Sequence, residues 1–415
     1  MAPKIIGIKG MSDLLPPESL LWHEVEQKAR QIFSAYGFQE VRTPVVEPTE
    51  LFVRSVGETS AIVEKEMYTF EDRKGLSLTL RPEGTAPIVR AYIEGGLFAK
   101  DPIAKLGYFG PMFRYEQPQK GRSRQFYQIG AELIGADTPL ADAELLIMLN
   151  QFLETLGIDD ARLEINSLGC AECRPTYLKA IQDFLRGKES QFCEDCQKRS
   201  KKNPLRVLDC KKEHCQKLTT TAPAISDFWC EACHQHYREV RGLLLAGGVK
   251  FKENARIVRG LDYYCRTAFE VLCDRLGGQN AVAAGGRYDG LVKDLGGPDV
   301  PGVGFAIGME RLMLLLGPWT KDHGQRTLVF FALLGNEAQQ KALSIVQELR
   351  RRGDRVECAY SGSLKGQMRR ADKLGAKKVV IMGEEEVKKG VAIIKEMDGG
   401  TQREVLLGRL VEELG

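Results

Sequence analysis

Apolar and polar side chains alternate over two neighbouring segments of the chain, residues 106–116 and 124–134. A period of two is typical of half-buried strands, and the basic stretch with Gly and Pro between them is typical of a hairpin loop. Because successive strand residues point to opposite faces, one face carries Met112, Arg114 and Glu116 on the first strand, and Phe126, Gln128, Gly130 and Glu132 on the second. Such a set suits an anionic phosphate, a flat ring and a small polar substrate better than a hydrophobic core.

The remaining periodicity predicts both strands and helices over the first three quarters of the chain. Residues 19–36 have apolar positions at helical spacing, and Gly37 is a plausible stop. A strand over 38–46 follows, and Pro44 places it at an edge or a bulge. Further strands are predicted at 65–71, 76–82, 161–167, 262–273 and 280–286, and further helices at 86–95, 139–156 and 304–316. This order predicts an α+β fold, a mainly antiparallel sheet flanked by helices.

A change of pattern after Leu316 indicates a second domain. Residues 317–324 have the composition of a linker. Beyond them, strand patterns at 328–334, 355–360, 378–382 and 391–395 alternate with helical patterns at 338–351, 363–374 and 408–414. We therefore expect domains over 1–325 and 326–415, the second a small α/β domain.

Composition and charge exclude several classes of protein. The chain has 415 residues, of which 43% are hydrophobic and 28% charged, as in ordinary soluble proteins. The net charge of +3 is too small to establish a nucleic-acid partner by itself. The N-terminus lacks the apolar core of a signal peptide, and no stretch approaches about 18 consecutive apolar residues, so we expect a cytoplasmic protein with no membrane partner.

Cysteines are concentrated in an insertion at about 169–249. Eight of the eleven cysteines fall there, in three C-x-x-C pairs and one looser pair: Cys170 and Cys173, Cys193 and Cys196, Cys210 and Cys215, Cys230 and Cys233. Such pairs suit tetrahedral zinc and could complete one or two structural sites, helped by His214, His234 or His236. Reduced structural thiols are the alternative reading, and the sequence leaves both open.

Several motifs resemble those of a known family. Residues 110–116 and 125–132 resemble motif 2 of class II aminoacyl-tRNA synthetases, 302–312 resembles motif 3, and the helix and strand over 19–46 resemble motif 1. Residues 258–264 resemble the signature of histidyl-tRNA synthetases, and 284–290 extend that likeness. The resemblance implies a catalytic domain over 1–325, an anticodon-binding domain over 326–415, and a homodimer. It also implies ATP with Mg²⁺, L-histidine and tRNA(His) as substrates and partners.

The resemblance also assigns roles to particular residues. Arg114 and Arg259 would flank the α-phosphate as the catalytic pair, and Phe126, Arg311 and Glu116 would complete the ATP site. Guanidinium groups suit this task because they stay charged and bind phosphate oxygens bidentately. The implied histidine site is formed by Glu83, Thr85, Gln128, Glu132, Tyr264 and Tyr288. Gln119 and Arg124, in the basic hairpin loop, would contact the tRNA acceptor end.

Two other functions compete with amino-acid activation. A synthetase-like regulator would share the fold but lack parts of the ATP and tRNA apparatus, whereas Arg114, Arg259, Arg311 and Glu83 are all present. A zinc-dependent nucleic-acid-binding protein would explain the insertion and leave the polar strand faces unexplained. We further expect that a chelator would loosen residues 170–236 and leave histidine activation mostly intact.

Overall fold

The computed structural model describes residues 3–57, 60–210, 212–258, 261, 263–318 and 328–414. The chain divides into two compact units, residues 1–319 and 320–415. Among the described residues, no helix is both long enough and apolar enough to cross a membrane.

Among its described residues, the first unit contains eleven strands. They are β1 (Gln39–Glu40), β2 (Val46–Pro48), β3 (Tyr68–Glu71), β4 (Ser77–Leu80), β5 (Ala104–Phe113), β6 (Gln125–Ile134), β7 (Arg162–Ser167), β8 (Phe251–Glu253), β9 (Cys265–Leu272), β10 (Ala281–Arg287) and β11 (Gly302–Gly308). Eight of them form one sheet in the order β1-β5-β6-β11-β10-β9-β7-β8, and β2-β4-β3 form a small separate sheet. The six strands from β5 to β7 in this order pair antiparallel, whereas β1 and β8 pair parallel to their neighbours.

The described part of the same unit also contains ten α-helices. They are α1 (Glu18–Ala35), α2 (Thr49–Val56), α3 (Thr85–Glu94), α4 (Pro139–Thr155), α5 (Cys173–Leu185), α6 (Glu194–Lys202), α7 (Glu213–Leu218), α8 (Glu231–Ala246), α9 (Leu291–Asp294) and α10 (Met309–Leu316). Helices α1, α4, α8 and α10 bury apolar side chains against one face of the large sheet. Helices α3 and α9 cover part of the other face. The cysteine-rich helices α5 to α7 enclose a smaller core of their own, around Ile181, Phe192 and Val207.

The second unit is a five-stranded mixed sheet with four helices. Its elements are β12 (Leu328–Leu333), α11 (Asn336–Arg351), β13 (Arg355–Cys358), α12 (Leu364–Lys373), β14 (Lys378–Met382), α13 (Glu384–Lys389), β15 (Val391–Glu396), β16 (Gln402–Leu406) and α14 (Leu410–Leu414). The strand order is β13-β12-β14-β15-β16, with the first three strands parallel and the last two joined antiparallel. Apolar side chains fill both faces of this sheet.

The α+β fold with a mainly antiparallel sheet is confirmed, but two local predictions differ from the structure. The helix predicted over 304–316 is wrong in its first part, because Gly302–Gly308 is strand β11 between β6 and β10. Its Val303, Phe305 and Ile307 alternate into the helix-covered core, which is the period of a strand. The strand predicted over 38–46 breaks at Pro44 into β1 and β2, which belong to different sheets.

A buried ion pair joins the helical layer to the large sheet. Asp142 of α4 and Arg287 of β10 have fully buried side chains, and Arg287 Nη2 lies 2.9 Å from Asp142 Oδ1. The second carboxylate oxygen accepts a hydrogen bond of 3.0 Å from Thr267 of β9, and His236 Nε2 of α8 lies 3.0 Å from it. Four elements, α4, α8, β9 and β10, therefore meet at one carboxylate. Its directional contacts orient these elements in a way that a hydrophobic contact could not.

We predict that Asp142→Ala destabilises the protein by about 3–5 kcal/mol, because the substitution leaves Arg287 charged and uncompensated in the interior. Urea unfolding followed by circular dichroism measures the loss. Glu144→Ala is the matched control, since Glu144 lies on the same helix and its ion pair with Lys105 is partly exposed. Equal stability of the two variants would contradict a structural role for Asp142.

Candidate active site

A cleft of about 960 Å³ opens over strands β6, β10 and β11 of the large sheet. It is lined by Glu83, Thr85, Arg114, Glu116, Gly121, Arg122, Ser123, Phe126, Gln128, Leu261, Tyr263, Tyr264, Ala281, Val282, Ala283, Ala284, Ala306, Gly308, Glu310 and Arg311. Eight residues that the sequence analysis proposed as site residues are in this lining: Glu83, Thr85, Arg114, Glu116, Phe126, Gln128, Tyr264 and Arg311. The antiparallel hairpin of β5 and β6, predicted from alternation, and its loop bring four of the eight together: Arg114, Glu116, Phe126 and Gln128.

Two arginines at the cleft are held in place by backbone carbonyls. Arg114 donates from Nε to the Pro82 carbonyl at 2.8 Å, and its guanidinium lies 5.2 Å from the centre of the Phe126 ring. Arg311 donates to the carbonyls of Ala281 at 2.6 Å and Gly121 at 3.2 Å. Burial lowers the pKa of Arg311 from its ordinary value. Both cations are thereby fixed before any anion arrives, which suits phosphate binding.

The loop between β5 and β6 is an ordered turn with a basic surface. Gln119 and Arg122 form a backbone bridge, and the Arg122 guanidinium pairs with Glu116 at 2.8 Å. Gln119 is exposed near the tip, whereas Arg124 is half-buried at the base with its guanidinium over the ring of Tyr115 at 4.2 Å. Of the two residues proposed to contact tRNA, Gln119 therefore lies near the tip of the loop and Arg124 at its base.

The cleft lining also contains a fixed carboxylate and two unpaired polar atoms. Glu83 accepts hydrogen bonds from the backbone N–H groups of Thr85 at 2.7 Å and Ala86 at 2.8 Å, at the start of α3. Burial raises the pKa of Glu83, although these bonds favour the ionised form. Gln128 Oε1 and the Tyr263 hydroxyl are buried without a hydrogen-bond partner among the described residues. Buried polar atoms of this kind need a partner, so both indicate where a polar ligand would bind.

Glu132 lies behind the cleft lining, in a fully buried position. It accepts hydrogen bonds from Thr85 Oγ1 at 2.8 Å and from the Tyr288 hydroxyl at 2.5 Å. Burial raises the pKa of Glu132 to about 8, against the opposing effect of these two bonds. A Cβ atom at Gly304 would lie 1.7 Å from Glu132 Oε2, so the glycine on the neighbouring strand makes room for the carboxyl group. Glu132 and Tyr288, both proposed for the histidine site, are therefore buried and lie outside the cleft lining.

Some lining residues were missed by the sequence analysis, and one proposed residue lies outside the described residues. Tyr263 and Glu310 line the cleft. Each directly precedes a proposed residue, Tyr264 or Arg311, and this adjacency is the signal by which the sequence could have indicated them. The Glu310 carboxylate accepts a hydrogen bond from the Tyr127 N–H at 2.9 Å, and burial raises its pKa to about 7. Arg259, proposed as a catalytic residue, lies outside the described residues.

The eight cysteines of the insertion form two separate groups of four. One group, the neck group, consists of Cys170, Cys173, Cys230 and Cys233; the other, the distal group, consists of Cys193, Cys196, Cys210 and Cys215. Within each group the four sulfur atoms lie within 4.8 Å of one another. All eleven cysteines are free thiols. Each group could therefore hold a metal ion.

The histidines among these cysteines have other neighbours. His236 faces the core beside Asp142, and His234 packs edge-on against Trp229. His214 Nε2 lies 3.2 Å from Cys215 Sγ, so it contacts a sulfur atom of the distal group. Because each group already contains four thiols, neither group needs a histidine ligand.

The comparisons with known proteins agree with this geometry. The family profile for histidyl-tRNA synthetase matches residues 10–312, and that for the anticodon binding domain matches residues 328–415. The chain belongs to the histidyl-tRNA synthetase family. A histidine–tRNA ligase from Syntrophotalea carbinolica is 53% identical over 411 residues, covering 99% of this chain and 98% of that protein. One from Geobacter sulfurreducens is 53% identical over 404 residues, covering 97% of each.

Solved structures of the family have the same fold. The structure of apo S. aureus histidyl-tRNA synthetase superposes with a TM-score of 0.82 at 36% identity, covering 99% of this chain and 100% of that one. A Bacillus halodurans protein described as an ATP phosphoribosyltransferase regulatory subunit/histidyl-tRNA synthetase has a TM-score of 0.68 at 21% identity, covering 92% and 99%. At that identity the second likeness concerns the fold alone.

We predict that Glu132→Gln changes the pH dependence of stability. The pKa of Glu132 rises from 4.5 to about 8 in the folded protein, so between these values the folded state keeps a proton that the unfolded state has released. Wild-type stability therefore falls as pH rises through this window, whereas the uncharged amide has no such dependence. The melting temperature of Glu132→Gln relative to wild type should increase steadily from about pH 5 to about pH 8. The measurement is made without substrates. If the melting temperatures of the two proteins changed with pH in parallel, this would contradict a protonated Glu132 in the folded state.

Proposed function

We propose that this chain is a histidine–tRNA ligase acting in the cytoplasm. It forms histidyl-adenylate and diphosphate from L-histidine and ATP, and then transfers histidine to the 3′ end of tRNA(His). The observation that carries this proposal is that one cleft contains groups suited to both substrates. The cations of Arg114 and Arg311 suit the phosphates of ATP, and the polar groups of Glu83, Gln128 and Tyr263 suit an amino acid. ATP–diphosphate exchange, measured with each amino acid in turn, tests it. Exchange that depends on histidine alone is expected, and exchange with no amino acid would favour a synthetase-like regulator.

Adenylate formation requires the substrate carboxylate to attack the α-phosphate of ATP. Two anions must approach each other, and charge increases in the in-line transition state. Arg114 would bind the carboxylate and the α-phosphate from one side, and Arg259 from the other. Phe126 and Arg311 would enclose the adenine between a ring and a guanidinium plane. Mg²⁺ bound with ATP would neutralise phosphate charge, and the Glu116 and Glu310 carboxylates in the cleft lining are suitable oxygen ligands.

Recognition of histidine requires partners for its ammonium group and for two different ring nitrogens. Glu83, Thr85 and Gln128 would bind the ammonium group, since they lie together at the start of α3 and on β6. Tyr264 and Glu132 would bind the ring nitrogens, with Tyr288 orienting Glu132 through its hydrogen bond of 2.5 Å. The unpaired Tyr263 hydroxyl provides a further donor or acceptor at the same place.

Binding of tRNA would involve both units. Gln119 and Arg124 of the basic loop would contact the acceptor end, with the cation positioning a phosphate and the amide reading a base edge. The second unit would bind the anticodon. Its exposed cations Lys365, Arg369 and Lys373 lie on one face of α12 and offer a surface for phosphates.

The active protein would be a homodimer, as the likeness of residues 19–46 to motif 1 implies. The segment before α1 supports this proposal because its side chains of Ile5, Ile6 and Leu15 are more than half exposed. Burial of such side chains against a second copy would be favourable. The cysteine groups would hold structural zinc, which closes the insertion and takes no part in the chemical steps.

Substitution of Arg259 tests the assignment of the catalytic pair. We predict that Arg259→Ala lowers the rate of histidine-dependent ATP–diphosphate exchange by about 100-fold or more, because one of two fixed cations at the α-phosphate is lost. Circular dichroism should show an unchanged fold. Arg256→Ala, an exposed arginine nearby in the sequence, is the control and should retain normal exchange. Near-normal rates in Arg259→Ala would disprove its role.

Removal of the second unit separates the two half-reactions. A protein truncated after residue 326 should still form adenylate, because the cleft residues all belong to residues 83–311. Its aminoacylation of tRNA(His) should fall by about 100-fold or more if anticodon contacts supply several kcal/mol of binding. The measurements are ATP–diphosphate exchange and charging of tRNA with the same preparation. Equal loss of both activities in a folded truncated protein would contradict this division.

A further inference from the structure

We propose that the two cysteine groups are two separate zinc sites, and that the neck site also holds the tyrosines of the histidine pocket in position. The first part concerns metal binding and stands on the geometry of the sulfur atoms. The second part rests on the proposed function, because it names histidine as the ligand of that pocket. It revises the expectation that metal loss would leave histidine activation intact.

The spacing of the sulfur atoms matches a tetrahedral metal site. Zinc–sulfur bonds of about 2.3 Å place the corners of a regular tetrahedron about 3.8 Å apart. In the neck group, Cys170 Sγ lies 3.6 Å from Cys173 Sγ and 3.8 Å from Cys230 Sγ, and Cys173 Sγ lies 3.8 Å from Cys233 Sγ. In the distal group, Cys193 Sγ lies 4.0 Å from Cys210 Sγ. These separations are far from the 2.05 Å or so of a disulfide.

Helix ends at the two groups favour thiolates, which are the form that binds zinc. Cys230 is the residue before α8, and Cys193 is the residue before α6. Backbone N–H groups already donate to sulfur in both groups: Cys230 N to Cys173 Sγ at 3.1 Å, and Cys193 N to Cys215 Sγ at 3.4 Å. The positive end of a helix and N–H···S hydrogen bonds both stabilise negative sulfur. Four thiolates and no carboxylate select zinc or iron over magnesium or calcium.

The neck group is joined to the histidine pocket by backbone hydrogen bonds. Leu168 N donates to the Arg266 carbonyl at 2.7 Å, and Arg266 N donates to the Gly169 carbonyl at 2.8 Å. Gly169 directly precedes Cys170, and a Cβ atom on it would lie 2.8 Å from Cys173 Cβ. The segment that carries the neck cysteines is therefore clamped to the residue two positions after Tyr264.

A side chain from the neck helix makes a second connection. Arg174, directly after Cys173 on α5, donates from Nη1 to the Tyr264 carbonyl at 3.1 Å. Tyr264 lines the cleft, and the ring of Tyr263 packs against it with centroids 4.5 Å apart. The first turn of α5, which a neck metal would anchor through Cys173, thus holds the backbone of the pocket tyrosines.

Arg266 shows that this arrangement is strained and needs support. Its φ of 43° lies in the left-handed region, and no other non-glycine residue that the structure describes has a positive φ. Such a conformation costs about 1–2 kcal/mol for an L-residue and persists only where surrounding contacts impose it. Those contacts are the two hydrogen bonds to Leu168 and Gly169. Loss of the neck metal would let this turn relax and would displace Tyr264, which precedes it by two residues.

The distal group differs from the neck group in what its cysteines contact. In the part of the chain that the structure describes, the hydrogen bonds of its cysteines stay within the insertion, as in Cys193 N to Cys215 Sγ at 3.4 Å and Cys210 N to the Val207 carbonyl at 3.3 Å. Cys196 and Cys215 belong to the small core around Phe192. A metal here would stabilise the insertion and leave the strand that begins at Cys265 in place.

Zinc content and histidine kinetics of matched variants test the proposal. The untagged wild-type protein should contain two zinc ions per chain by elemental analysis. Cys230→Ser/Cys233→Ser and Cys210→Ser/Cys215→Ser should each retain one. In ATP–diphosphate exchange the neck variant should raise the KM for histidine by about tenfold or more, the usual effect of losing a supporting contact, with the KM for ATP nearly unchanged. The distal variant should keep the histidine KM of the wild type.

Arg174→Ala tests the connection without altering a metal ligand, and it decides the case if the neck variant does not fold. It should retain both zinc ions and raise the histidine KM, whereas Lys179→Ala on the exposed side of the same helix should change neither. A wild-type protein that is free of metal or loaded with iron would overturn the zinc assignment. An unchanged histidine KM in Arg174→Ala would overturn the link to the pocket. Wild-type protein with two zinc ions but no histidine-dependent exchange would refute the proposed function and leave the metal sites standing.

Discussion

The buried charge pair of Asp142 and Arg287 is the constraint on which the cleft depends. Arg287 ends β10, the strand that contributes Ala281 to Ala284 to the cleft lining, and the next residue is Tyr288, which hydrogen-bonds Glu132. Asp142 fixes this strand end to α4 and, through Thr267, to β9. An ion pair in the interior is costly to desolvate and seldom adds net stability, so its value here lies in orientation. It sets the position of β10, which lines the cleft, and of β9, which directly follows the cleft residues Tyr263 and Tyr264.

Local periodicity was sufficient to predict much of the fold. The hairpin of β5 and β6, helices α1, α3 and α4, and the four strands β12 to β15 follow from patterns of two or of 3.6 residues, which depend only on which face is buried. Strand β11 was mistaken for helix although Val303, Phe305 and Ile307 alternate with the period of a strand, and its glycines lie where Glu132 and Tyr288 approach the backbone. Those contacts come from residues distant in sequence, so no local pattern could reveal them.

Sequence motifs indicate which residues are candidates for the site, but not how deeply each side chain is buried. Motif resemblance gave Arg114, Gln128 and Arg311, and the structure brings them to one cleft. The motifs did not indicate how deeply Glu132 is buried, because its burial depends on contacts with Thr85 and Tyr288, which are distant from it in the sequence. Likewise, the four cysteine pairs are visible in the sequence, but only the three-dimensional path of the chain decides that the first pair meets the last.

That pairing is nested: the distal group lies wholly between the two halves of the neck group along the chain. A ribosome therefore completes the inner set of four thiols while Cys230 and Cys233 are still to be added. The inner set closes a shorter loop, which costs less chain entropy than closing the outer one. During this interval Cys170 and Cys173 have been synthesised, but Cys230 and Cys233, which complete their group, have not. The order of synthesis, and not affinity alone, would thus favour the correct grouping of eight chemically identical thiols.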